Sequence, residues 1–112
     1  MKTRLELITA TLKLLNAVGA GQAPAPEDIE EIDRIIDGVI EELNDINAYT
    51  NMNRDEYEDK HLDALATIIA VAAAPSFGQP KNYDSKADAI TRLRAMTPET
   101  YVKGSVLAVD YF

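Results

Sequence analysis

The sequence predicts an all-α fold. It reads as a small four-helix, bundle-like domain over residues 1–98, followed by an extended, strand-like C-terminal arm over 99–112. Three observations predict this. Four segments place apolar residues at three- and four-residue steps, the period of a helix buried on one side. Clusters of Pro, Gly and Asn separate those segments. Beyond Pro98 the period is lost, and β-branched and aromatic residues take over.

The first segment spans 3–18. Leu5, Ile8, Leu12 and Leu15 share one face, while Leu7 and Leu14 lie off it. Thr3 sits where an N-cap belongs, with Glu6 three residues on to complete a capping box. Gly19 and Gly21 are expected to stop the helix, because glycine takes a left-handed cap at little cost. The connector Gly19–Pro26 is short and Pro-rich. Pro26 opens the next segment, where its missing N–H is harmless.

The second segment, 26–47, is the most regular. Ile29, Ile32, Ile36, Val39, Leu43 and Ile46 alternate in steps of three and four, and Ile35 and Ile40 widen the stripe. Such a helix is roughly 33 Å long. The spacing permits a coiled coil, but the wide stripe favours packing within a bundle. Gly38 is its weak point. It costs about 1 kcal/mol relative to Ala, or it admits a close neighbour.

A polar break with three Asn follows at 47–55. The third segment, 56–74, carries Leu62, Leu65, Ile68, Ile69 and Ala72 on its core face. Many further alanines surround them, and Ala66, Ala70 and Ala73 suit close helix packing inside the domain or between subunits. Pro75 and Gly78 end it. Asp84 or Ser85 is expected to cap the fourth segment, 85–96, with Ala89, Ile90 and Leu93 inward and Lys86, Arg92 and Arg94 outward. In the arm, Tyr101, Val102, Val106, Leu107, Val109, Tyr111 and Phe112 are expected to bind a partner. No second strand is expected in the chain, so the arm should pair with another molecule.

Composition narrows the function classes. Apolar residues make up 46% and charged residues 27%, which excludes wholesale disorder. Cys is absent, which removes disulfides, thiolate metal sites and Cys nucleophiles together. The net charge of −8 argues against binding by phosphate neutralisation and against anionic membranes. That charge has an address: residues 27–47 hold nine acids and one base, and the rest of the chain balances. No stretch is long and apolar enough to span a bilayer. The opening residues run into an amphipathic pattern instead of a signal-peptide core, which points to a cytosolic pool.

No catalytic, metal or cofactor pattern rises above background, so the chain reads as a non-enzyme without a cofactor. His61, the only histidine, is three residues after Glu58 and reads as a helix-surface side chain. The acidic pairs Glu30-Glu31 and Glu41-Glu42 read as a solvated helix face. Gly19-Ala20-Gly21 lacks the strand and the lysine of a phosphate loop.

The order of these pieces resembles the head-to-tail adaptors of tailed phages, also called tail accessory factors or packaged-DNA stabilisation proteins. Three stretches carry the resemblance: Leu5-Glu6-Leu7-Ile8 with Leu12-Lys13-Leu14-Leu15; the connector Gly21 to Asp28; and Leu65 to Ala70 leading to Ala74-Pro75-Ser76-Phe77-Gly78. It covers residues 3–96. The chain departs from that pattern in having no Trp and only a short break at 47–55. The resemblance implies a virion protein at the head–tail junction, assembled in the host cytoplasm. Such adaptors form a ring, usually twelvefold, under the portal protein, extend the DNA channel and receive downstream tail or nozzle proteins. DNA would be only non-specific cargo. Glu30, Asp33, Asp37 and Glu41 would then be channel-facing acids that let DNA slide. The competing reading is a small acidic inhibitor or DNA mimic that binds a basic partner.

Overall fold

The computed structural model describes residues 1–19, 21–51 and 53–96. The arm 99–112 and its seven candidate contact residues lie outside the described residues. Four helices form the fold: α1 (Arg4–Leu14), α2 (Pro26–Asp45), α3 (Asp59–Ala73) and α4 (Tyr83–Met96). A 3-10 turn, Ala74–Phe77, follows α3. Two short strands, β1 (Lys2–Thr3) and β2 (Glu56–Tyr57), pair antiparallel with Lys2 opposite Tyr57. The expectation of no paired strand within the chain is corrected here. Tyr57 is fully buried and donates its hydroxyl to the Arg54 carbonyl at 2.6 Å, which fixes the strand beside the core.

α3 is the central helix. α1, α2 and α4 all pack against it. Ala64, Leu65, Ala66, Ile68, Ile69, Ala70, Val71 and Ala73 are buried. A helix apolar on most sides must be enclosed, and small side chains let its neighbours approach closely. Ala66, Ala70 and Ala73, expected as subunit-packing residues, are therefore occupied inside this chain's own core. From α2, Ile32, Ile36, Val39, Ile40 and Leu43 join them, and from α4, Ala89 and Leu93.

The expected stripe of α1 is rotated. Leu7, Ile8, Thr11, Leu12 and Leu15 are buried, whereas Leu5 is 54% exposed. The cause is Arg4, whose guanidinium reaches back to α2. Arg4, Ile8, Thr11 and Leu15 share a face by helical spacing. Turning that face inward leaves Leu5 outside. At the far end of α2, Ile46 follows the last turn and is 42% exposed, although the periodicity placed it in the core.

The helix ends combine expected and unexpected chemistry. The capping box forms as read: Thr3 Oγ1 accepts from the Glu6 N–H, and the Thr3 N–H donates to Glu6 Oε1. The first two helices end earlier than expected, each on an asparagine. Asn16 and Asn47 both adopt φ of 58°. The next N–H reaches back five residues in each case, Ala17 to Leu12 and Ala48 to Leu43, both at 2.9 Å. This is the Schellman closure; in the first helix Asn16 takes the left-handed seat that Gly19 and Gly21 were expected to fill, and in the second Asn47 opens the Asn-rich break. Gly78 (φ 74°) closes the 3-10 turn the same way, through Gln79 to Ala74. The cap of α4 is Asn82, whose side chain accepts from the Ser85 N–H at 3.1 Å, in place of Asp84 or Ser85.

The buried alanines of α3 yield a test. Ala66→Leu inserts three heavy atoms into a filled core and should lower stability by about 1–3 kcal/mol. The urea midpoint of the dilute protein would fall. An unchanged midpoint would mean that Ala66 faces open space.

Candidate functional site

The most concentrated chemistry in the chain is the outer face of α2. Glu30, Asp33, Asp37 and Glu41 are all exposed there. They recur at steps of three and four opposite the isoleucine stripe, so one side of the helix is apolar and the other anionic.

Two of the four acids meet arginines from elsewhere in the chain. Arg4 Nε donates to Asp33 Oδ1 at 2.5 Å, and Arg4 Nη1 donates to Asp37 Oδ1 at 3.1 Å. The same guanidinium donates to the carbonyls of Asp33 and Arg54 at 3.0 and 3.1 Å. Arg54, from the connector before β2, donates to Asp37 Oδ1 at 3.3 Å. The Arg4 N–H bonds the Asp55 carbonyl at 3.1 Å. One side chain thus ties the start of α1 to the middle of α2 and to the 46–58 connector. A planar guanidinium with five donors suits this task, and lysine would not replace it.

The electrostatics follow the geometry. Burial pulls the Arg4 pKa down, but the bonds to Asp33 and Asp37 outweigh it and the net shift is upward. Desolvation pushes Asp37 up, but Arg4 and Arg54 outweigh it and hold the carboxyl below its ordinary range. Glu31 is also lowered, first by the Ser76 hydroxyl, which donates to its Oε2 at 3.0 Å, and then by Arg34. The Ser76 contact joins the 3-10 turn to α2. Lys86 of α4 lies 3.6 Å from Glu42. Much of the acidic surface of α2 therefore serves to hold the other elements. Glu30 and Glu41 have no ion-pair partner among the described residues and face solvent.

His61 departs from its expected place on the surface. It is 94% buried, being 6% exposed, in the first turn of α3. Its ring meets Tyr49 edge-to-face with centroids 5.2 Å apart. Neither ring nitrogen has a hydrogen-bond partner among the described residues. Burial lowers its pKa, Glu58 opposes that and Lys60 assists it. Among the described residues no group of three His, Asp or Glu side chains converges to hold a metal ion. No described helix is long and apolar enough to cross a membrane.

Sequence reasoning identified the acids but missed the arginine clamp. Asp33 and Asp37 are one turn apart, which marks them as a pair. Nothing local says that Arg4, twenty-nine residues earlier, would reach them. Tyr49 and Tyr57 were missed too: Tyr49 stands in the polar break, and Tyr57 was read into the start of the third helix, whereas it lies in β2 and α3 begins only at Asp59.

Two measurements follow. Arg4→Ala should cost about 1–3 kcal/mol, since it removes bonds to two elements at once, with the ion-pair part screened by salt. Because the folded Asp37 pKa is lowered, its contribution is present above the unfolded value near pH 3.9 and is lost as pH falls through the folded value. In Asp37→Asn that part of the acid slope of urea stability should disappear. A slope identical to the parent's would show that the clamp contributes nothing.

His61 acts in a different window. With its folded pKa lowered, its contribution is complete above about pH 6.5 and declines as pH falls towards the folded value. Stability should therefore begin to drop as pH falls below about 6.5, above the range in which the carboxylates titrate. His61→Phe keeps a ring against Tyr49 and should flatten that interval. A persisting drop would assign it to another group.

Comparison with models of protein families, with curated proteins and with solved structures finds no match to this chain.

Proposed function

We propose that the chain is a structural virion protein, a head-to-tail adaptor that assembles as a ring beneath the portal and anchors through residues 99–112. One observation carries this reading: the order and spacing of its motifs. An amphipathic helix, a Pro-rich connector, a long acidic helix and an Ala-rich helix ending in Ala74-Pro75-Ser76-Phe77-Gly78 follow one another, and then come a short helix and an arm. The last motif has a physical task that supports the comparison. Its 3-10 turn and left-handed Gly78 reverse the chain, so that α4 returns along α3.

The acids divide within this reading. Asp33 and Asp37 are engaged by the chain's own arginines. Glu30 and Glu41 remain the better candidates to face the channel, where fixed negative charge repels the DNA backbone and lets it slide. The same pairing weighs against a DNA mimic, which needs its acids free to meet a basic partner.

The test is co-expression with the portal protein of the same virion. The adaptor should co-purify with the portal and appear by electron microscopy as an added ring. Removing residues 99–112 should leave the far-UV signal of the helices and abolish co-purification. A full-length chain that ignores the portal would overturn the adaptor reading. A truncated chain that still binds would overturn the role of the arm alone.

A further inference from the structure

A second feature of α2 lies on its α4 side. α2 and α4 both rest on α3, and between them runs a cleft of about 350 Å³. That volume falls in the lower part of the range of roughly 300–1,000 Å³ in which ligand sites are found. Ile35 and Val39 form one apolar wall, and Val71 and Ala72 form the floor. We propose that this cleft is the seat of the chain's own segment 106–112.

Gly38 is the first argument. It stands in the α2 wall, and a Cβ built there would meet nothing within 4 Å. Its φ is not in the left-handed region, so the backbone does not require glycine. Alanine would favour the helix by about 1 kcal/mol. Packing among the described residues does not explain that cost. A backbone or ring lying against α2 at this point does.

Charge is the second argument. The rim carries Arg34, Lys81 and Lys86 against a single acid, Glu42. Arg34 and Lys86 are engaged with Glu31 and Glu42. Lys81 has no ionic partner among the described residues. Beside the apolar floor the rim thus keeps one cation, Lys81, to meet an acid. The segment Val106-Leu107-Ala108-Val109-Asp110-Tyr111-Phe112 has the complementary pattern: one acid, set among aliphatic and aromatic side chains. Asp110 would meet Lys81, and its neighbours would cover Val39 and Val71. Tyr83, 66% exposed at the rim, supplies an aromatic edge for Tyr111 or Phe112.

Reach is the third. α4 begins at the cleft and carries the chain about 20 Å away from it. Residues 97–105 can extend about 30 Å. The segment can therefore return along α4 to its start within the same molecule.

The chain contains no cysteine, so Ser105→Cys accepts a single nitroxide label on the full-length protein. In the dilute monomer the amide signals of Gly38, Val71 and Ala72 should lose most of their intensity. Gly38→Leu, which fills the cleft and favours the helix, should restore them, and Lys81→Glu should restore them in part. Undiminished cleft signals in the labelled parent would overturn the proposal. So would a loss of intensity that survives Gly38→Leu. Isotope-labelled chains mixed with nitroxide-bearing unlabelled chains provide the remaining arm. Signal loss seen only in that mixture would overturn the intramolecular seat and give the cleft to a second copy.

Discussion

The constraint on which the rest of the structure depends is the enclosure of α3. Its buried side chains point towards three neighbouring helices at once. Apolar surface buried at roughly 25 cal/mol per Å² makes this the main favourable contribution, and alanines set how closely the neighbours approach. Once α3 is committed to the interior, the other helices need only one apolar face each. Polar chemistry is displaced to their outer sides. The acids of α2 and the cations of α4 follow from that division.

Hydrophobic burial does not fix how each outer helix is rotated or where it ends. Arg4 supplies the rotation of α1. The asparagines at 16 and 47 supply two of the ends. These devices explain what was legible in the sequence and what was not. The four helices were legible because a buried stripe leaves a period of three and four. The capping box of Thr3 and Glu6 was legible because it is local. The orientation of α1 was not, because Leu5 and Leu7 are equally apolar and only the distant partners of Arg4 decide between them. Asn16 was overlooked in favour of Gly19 and Gly21, although asparagine tolerates the left-handed region better than most residues. The pairing of β1 with β2 involves two residues on each side, too few for any period of two to show.

The acidic face of α2 was legible as composition and not as function. Charge counted along the sequence treats all nine acids alike. The fold separates them into carboxylates that hold α1, α4, the connector or the 3-10 turn, and carboxylates with no such contact. The first group uses its charge within the molecule, where partial burial weakens solvent screening. The second contributes to the external field, and only that group is available to a DNA channel or a basic partner. Glu30 and Glu41 belong to this second group, and so do Glu27, Asp28 and Asp45, none of which has an ion-pair partner among the described residues.

The two roles proposed for the arm constrain each other. A segment seated in the cleft of its own chain is not free to dock elsewhere, so portal binding has to compete with the cleft. If about nine arms in ten are seated, the apparent affinity for the portal falls about tenfold, because only the free fraction binds. The same proposed occupancy would cover an apolar segment. If the adaptor proposal holds, such a protein would gain from waiting as a monomer until a ring of portal subunits presents many docking sites together. Linked sites then raise the effective concentration of each arm and can overcome a modest intramolecular seat. On this proposal Gly38 leaves room beside α2 for the seated segment, at a cost of about 1 kcal/mol to the helix relative to alanine.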